Sequence, residues 1–323
     1  MSDKDAFKPF PLFIGKHLQT IVAALCSFYR EPKSKRRLIY LKDGERLSLE
    51  VTVPPGWKED QLTVVMIHGL CGSHRSQYLV RMVRKLYRKK IRAIRLNLKG
   101  CGSGRGYAKK VYQPDCSLDV WDALKEIQRE TPSSPLIVIG FSFGGNVVLK
   151  MAGERPEEAR QLIEKVIAIN PPIDLQASAC LMSSNKLYER YFMRYFRAEM
   201  AFLCQHFDMA PEPVPRRMGL LAFNERYLAP MAGYSSAKEY YYAMSSGRLL
   251  PAIQIQCHLL FSRDDPIVDS TVLDAVDVPS NISILSTQRG GHLGFLGTPG
   301  KGRSFYWMDK VILNWIFEDR SEA

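Results

Sequence analysis

Long apolar runs are missing from this sequence. Nowhere in its 323 residues is there a stretch of the roughly 18–20 uninterrupted apolar residues that a membrane-spanning helix needs. The longest early run, "IVAALC" at 21–26, is far too short. Ahead of it stand Asp3, Asp5, Pro9, Pro11 and His17, which do not make the basic and apolar regions of a secretory signal. The expectation is a soluble, cytoplasmic protein. Paired cysteines are missing too. The seven, at 26, 71, 101, 116, 180, 204 and 257, include no C-x-x-C and no Cys/His spacing of a zinc site. They read as reduced, small apolar residues, and no metal is expected. A phosphate-binding loop is absent as well. "KGCGSGRG" (99–106) follows a β-type run, yet Arg105 breaks the G-x-G-x-x-G pattern and no Walker lysine occurs. No cofactor is expected.

Acids are missing from one long interval. Between Asp60 and Asp115 there is none, while the chain as a whole carries 45 Lys and Arg against 33 Asp and Glu, a net +12. Such a run raises the question of nucleic acid or an anionic membrane. Periodicity favours a plainer reading of its first half. In "YLVRMVRKLYRKK", Leu79, Met82, Val83, Leu86 and Tyr87 recur at i, i+3, i+4, i+7 and i+8. Arg81, Arg84, Lys85 and Arg88 then fall on the solvated face of an amphipathic helix. No nucleic acid is expected as a partner, and peripheral contact with an anionic membrane stays open.

What is present is an alternation of strands and helices. "RRLIYL" and "RLSLEVTV" read as a leading hairpin around "KDGE". "LTVVMIHG" (62–69), "IRAIRLNL" (91–98), "PLIVIG" (135–140), "KVIAIN" (165–170), "IQIQCHLLFSR" and "NISILST" read as strands. Helical runs lie between them, among them "CSLDVWDALKEIQRE" (116–130), with Leu118, Trp121, Leu124 and Ile127 on one face. "WMDKVILNWIFED" is a closing helix. This order implies an α/β fold with a mostly parallel central sheet flanked by helices. From about 174 to 250 no convincing strand occurs, only helical, aromatic and basic sequence such as "KLYERYFMRYFRAEMAFL". It reads as a helical cap inserted before the last strands, its aromatics mostly packing its own core. Repeats and Gly/Ser-rich linkers are absent, so residues 1–323 read as one domain carrying that insertion.

Gly140-Phe141-Ser142-Phe143-Gly144 satisfies G-x-S-x-G with a strand before it and a helix after it. A strand turning abruptly into a helix presents the central hydroxyl in a strained, exposed position, and the flanking glycines permit close backbone approach. A serine hydroxyl needs a base, and the base an orienting acid. In a fold of this order the acid and then the histidine follow the serine. Of the histidines at 17, 68, 74, 206, 258 and 292, only His292 lies beyond every late strand, in "QRGGHLGF". The acid should close the preceding strand, where "SRDDP" offers Asp264 and Asp265. Pro266 fixes the turn that favours Asp265, with Asp264 as the alternative. Two backbone amides should hold an oxyanion. One is that of Phe143, and the other that of Leu70 in "HGL", with His68 shaping the loop.

"HLQTI" (17–21), "HGLCGS" (68–73), "GCGSG" (100–104) with the tyrosine of "VYQPD" (111–115), "GFSFGGN" (140–146), "NPPIDL" (170–175), "RDDP" (263–266) and "GGHLGF" (290–295) occur in an order that resembles the YheT-like branch of the α/β-hydrolases, also called the AB hydrolase 4 family. The resemblance runs over roughly 7–317. It implies a serine carboxylesterase or lipase acting on small-molecule or lipid esters, with Ser142, an aspartate of "RDDP" and His292 as its catalytic residues. Cys71 and Lys99 stand where relatives often show an acid and an arginine, which bears on substrate preference. Two rival expectations accompany this one: an acyltransferase using the same residues, and a membrane-surface binding protein with little catalysis.

Overall fold

The alternation of β-branched and amphipathic runs folds into a single mixed sheet. The computed structural model describes residues 6–25, 29–109, 116–208, 212–299, 305–318 and 320. Cys26 and Tyr112 of "VYQPD" lie outside them. Among the described residues, β1 (Lys35–Tyr40) and β2 (Arg46–Thr52) make the antiparallel hairpin, closed by the Leu41 N–H donating to the Glu45 carbonyl across "KDGE". The sheet continues with β3 (Thr63–Ile67), β4 (Arg92–Asn97), β5 (Leu136–Phe141), β6 (Lys165–Ile169), β7 (Gln256–Ser262) and β8 (Ile282–Thr287). The order across it is β1-β2-β4-β3-β5-β6-β7-β8, and every pair from β4 to β8 is parallel.

Parallel strands need crossovers, and helices supply them on both faces. The period of two along β3 divides the core: Val65 and Ile67 face one apolar cluster, Val64 and Met66 the other. The first cluster takes in α3 (Cys116–Glu130) and α4 (Phe143–Glu154). The second takes in α2 (Gln77–Arg88) and the closing α11 (Trp307–Phe317). The short α5 (Pro156–Leu162) returns the chain to β6, and α1 (Lys16–Leu25) precedes the hairpin. On α3 the buried face carries Val120, Trp121, Leu124 and Ile127, whereas Leu118, expected among them, is 40% exposed. Its neighbours Ser117 and Asp119 turn inward instead, toward Glu154 and Lys99.

The basic run meets a different fate from the one its periodicity suggests. Arg81 is not on a solvated face. It is 2% exposed, and its guanidinium forks onto the buried Asp309 of α11 at 2.6 and 2.9 Å. Tyr306 covers the same guanidinium at 3.9 Å, and Lys85 reaches Asp309 at 2.9 Å. Tyr87, expected to face the core, is exposed. Arg95 is buried against Glu31 and the His74 carbonyl, and Lys99 against Asp43 and Asp119. The acids missing from the interval arrive from distant segments, so much of its positive charge is internal.

Between β6 and β7 the described residues hold helices and no strand: α6 (Leu175–Ser184), α7 (Lys186–Phe207), the short α8 (Leu220–Phe223) and α9 (Ala229–Met231), and α10 (Ala237–Met244). Asp174, Asn185 and Ser236 cap α6, α7 and α10 through their side-chain oxygens. The aromatics of this stretch mostly pack inward, with Phe196 stacked on Phe223 at 5.0 Å and Phe223 on Tyr227 at 5.5 Å.

Candidate active site

Parallel strands in register bring their carboxyl ends to one edge, the place where open α/β sheets bind ligands. Ile67 pairs with Gly140, Phe141 with Ile169 and Ile169 with Leu260. The next residues along are His68, Ser142, Asn170 and, beyond β7, Asp264 and Asp265.

Ser142 is held where β5 becomes α4 at φ +52°, ψ −122°. Such a conformation costs on the order of 1–3 kcal/mol in a non-glycine residue and persists only when its surroundings over-determine it. They do so here. Its N–H donates to the Ile169 carbonyl at 2.7 Å, and its own carbonyl accepts from Gly145 and Asn146 at 2.7 and 3.1 Å. A Cβ on Gly144 would stand 2.5 Å from the His68 carbonyl oxygen, so the helix can start this close to β3 only with glycine there.

His292 lies in the loop after β8 and bridges two partners. Its Nε2 is 2.9 Å from Ser142 Oγ, and its Nδ1 is 2.8 Å from Asp265 Oδ2. Asp265 is almost fully buried. Its Oδ2 also accepts from Asn170 Nδ2 at 2.7 Å, and its Oδ1 accepts from the Ile267 and Val268 amides at 2.8 and 2.9 Å. Three donors and the His292 ring nitrogen thus surround one carboxylate. Asp264 does different work: its Oδ1 takes the Ser262 hydroxyl and the Gly291 N–H, the latter at 2.9 Å, holding the histidine loop from below.

The same loop is held from the side by α1. The His292 N–H donates to Thr20 Oγ1 at 2.9 Å. Buried Gln19 both donates to and accepts from the Leu296 backbone, at 3.0 and 2.6 Å. Sequence reasoning assigned no task to Thr20, Gln19 or Asn170. The only trace of them was their presence in "HLQTI" and "NPPIDL", since their partners lie up to 277 residues away.

On the other side of Ser142 runs the loop after β3. A Cβ on Gly69 would be 3.5 Å from Ser142 Oγ, so this backbone lies directly against the hydroxyl. The Gly69 N–H is spent on the Tyr78 hydroxyl at 2.9 Å, which makes Leu70 the next amide along; Phe143 opens α4. His68 pins the loop, with Nδ1 2.7 Å from the Gly69 carbonyl and Nε2 accepting from the Leu98 N–H at 3.2 Å. Burial lowers its pKa to about 4, so it is neutral near pH 7. Burial also pushes the Cys71 thiol well up, keeping it out of its reactive thiolate form.

The helical stretch is fastened beside this edge at three places. Asn146 of α4 donates to the Met244 carbonyl and accepts from the Ser246 N–H, at 2.8 and 2.9 Å. His17 of α1 meets the Tyr188 hydroxyl at 2.9 Å. Arg105, within the glycine-rich loop 99–106, pairs with Glu199 at 3.2 Å while its guanidinium lies 3.8 Å over the Phe202 ring. Glu199 is buried, and that burial raises its pKa despite the arginine. Among the described residues no group of three or more His, Cys, Asp or Glu has the arrangement to hold a metal ion.

Comparison with known proteins places this geometry. Over 330 residues the chain is 24% identical to YheT of Escherichia coli, covering 98% of this chain and 94% of that one. It is 26% identical to the monoacylglycerol lipase of Saccharomyces cerevisiae over 79% of this chain, a stretch that spans 59% of the lipase. Among solved structures, Est1E from Butyrivibrio proteoclasticus superposes with a TM-score of 0.56 at 12% identity, covering 88% of this chain and 98% of Est1E. Residues 63–297 match the family described as alpha/beta hydrolase fold. With the sheet order, the strained turn at Ser142 and the helices on both faces, that match establishes that the chain belongs to the alpha/beta hydrolase fold family and, within it, is similar to YheT over nearly its whole length.

Proposed function

We propose that this protein is a serine ester hydrolase that cleaves carboxylic esters, lipid esters among them, through an acyl-enzyme. The observation that carries the reading is the hydrogen-bonded series Ser142 Oγ, His292, Asp265 Oδ2, made through opposite nitrogens of one imidazole. An ionised carboxylate only accepts, so Asp265 requires the proton on Nδ1. That tautomer leaves the Nε2 lone pair facing the serine hydroxyl.

The chemistry follows from that arrangement. Ser142 Oγ attacks the ester carbonyl carbon as its proton passes to His292 Nε2, and Asp265 stabilises the resulting imidazolium. The Phe143 and Leu70 amides hold the oxyanion, each such donor being worth about 3–4 kcal/mol in the transition state. Collapse expels the alcohol, which leaves with the proton from His292. Water, deprotonated by the same nitrogen, then attacks the acyl-enzyme, and Ser142 regains its proton. Asn170 and the Ile267 and Val268 amides fix the carboxylate throughout. The helical segment 174–250 acts as a cap on one domain and selects the acyl chain and head group. Similarity to a monoacylglycerol lipase supports a lipid ester as substrate.

A fluorophosphonate probe tests the reading. Wild-type protein should label and Ser142→Ala should not; an unlabelled wild type, or equal labelling of both, would overturn it. A graded panel from short p-nitrophenyl esters to monoacylglycerols then reads the substrate, and product analysis with an added alcohol separates hydrolysis from acyl transfer.

A further inference from the structure

The surface beside the candidate site carries an unusual combination of exposed side chains. On α7 the inward stripe is Tyr188, Phe192, Met193, Phe196 and Met200, all buried. The outward stripe is Lys186, Leu187, Arg190, Tyr191 and Arg194, recurring at i, i+1, i+4, i+5 and i+8. Leu187 and Tyr191 are 56% and 63% exposed, large apolar groups that the core does not need. The acid on these first turns, Glu189, is turned aside and committed to Lys186 and the Leu220 N–H.

Helix α1 continues this surface. The His17–Tyr188 hydrogen bond joins it to the start of α7. Its inward residues are Gln19 and Thr20, which hold the His292 loop, while Leu18 next to them is half exposed. Leu12, on the approach to α1, is 73% exposed. Described residues 6–25 contain Lys8 and Lys16, both exposed, and no acid. The face is therefore apolar, interleaved with cations and free of acids on its exposed stripe, and α1 carries on its inward side the Thr20 that holds the His292 loop.

We infer that the joint outer face of α1 and the first turns of α7 docks on a lipid surface bearing anionic headgroups. The inference deepens the proposed lipid-ester activity and rests on it for the choice of lipid as the occupant. Charge and apolarity occur here in the mixture that interfacial helices use: leucine and tyrosine enter the headgroup boundary while Lys and Arg meet the anions. No helix among the described residues is long and apolar enough to cross a membrane. The helix whose sequence first suggested such contact, α2, is the poorer candidate because Arg81 and Lys85 are engaged by Asp309. Docking on α1 and α7 would bring the carboxyl edge of the sheet to the lipid that supplies its substrate.

Flotation with phosphatidylcholine vesicles, with and without a phosphatidylserine fraction, tests the inference on the full chain. Wild-type protein should float with the phosphatidylserine vesicles, less so as salt rises. Arg190→Gln with Arg194→Gln should lower partitioning roughly 25-fold, about fivefold for each charge lost. Leu18→Glu with Leu187→Glu should lower it at least about tenfold. Arg88→Gln with Lys89→Gln, exposed at the C-terminal end of α2, should leave partitioning within about twofold. The inference fails if wild-type protein does not float, if the leucine variant floats like wild type, or if the α2 variant loses as much as the α7 variant. It also fails if wild-type protein is a dimer that the leucine substitutions split, for then a second copy covers the face. Turnover of a short water-soluble ester, read on the same samples, keeps the two readings apart. Flotation without Ser142-dependent turnover would strike the hydrolase and leave the docking face; turnover without flotation would do the reverse.

Discussion

Two histidines stand beyond the ends of strands around Ser142, and their surroundings differ sharply. His68, after β3, has backbone partners, the Gly69 carbonyl and the Leu98 N–H, and burial lowers its pKa to about 4. His292, after β8, has a carboxylate on one nitrogen and the serine hydroxyl on the other. Both rings are buried or nearly so. The lesson is that burial alone makes a histidine inert, a neutral peg that fixes a loop. In the proposed mechanism, the buried Asp265 carboxylate beside the other ring supplies the countercharge for the proton taken from Ser142.

The contrast can be broken most severely at the carboxylate. Asp265→Asn presents a side chain whose amide cannot reproduce an ionised acceptor toward Nδ1, and kcat on a short ester should fall about 10⁴-fold with the fold intact by circular dichroism. Next comes the inert partner. Because the folded-state pKa of His68 is lowered, the unfolded chain binds a proton that the folded chain refuses between about pH 6.5 and 4. The stability contributed by the neutral ring is complete above pH 6.5 and lost as pH falls through that window, about 3 kcal/mol in all. Urea titrations at pH 7 and 4.5 should therefore show a smaller loss in His68→Gln than in wild type; parallel losses would contradict the assignment.

Smaller effects separate the residues that hold the His292 loop. Thr20→Val removes the acceptor of the His292 N–H at the cost of about 1 kcal/mol, so kcat should drop roughly fivefold with KM unchanged. Thr20→Ser should restore it. Asp264→Asn keeps an oxygen for the Gly291 N–H, and its kcat should stay within about threefold of wild type. A loss as large as that of Asp265→Asn would reverse the roles given to the two aspartates.

Local pattern made the strands, most helices and the turn at Ser142 legible, since period, β-branching and glycine spacing act over a few residues. The histidine could be chosen by chain order alone. The choice between Asp264 and Asp265 rested on one proline, and the structure brings Asp265 onto His292 while Asp264 holds Gly291. Less legible was anything set by a distant partner. Helices α2 and α7 both show cations between apolar residues, yet Arg81 forks onto Asp309, 228 positions away, while Arg190 and Arg194 stay exposed. Thr20 lies 272 residues from the amide it serves.

By itself the sequence determined the alternating strand–helix order, the strained serine between glycines and the helical stretch between β6 and β7. These follow from side-chain periodicity and backbone sterics, which are written into neighbouring residues. Tertiary structure alone decided which acid meets His292, which histidine is silenced, which basic residues are buried against acids and which face solvent. Each of those depends on desolvation and on a charge or donor supplied across the fold, and neither exists until the strands are in register.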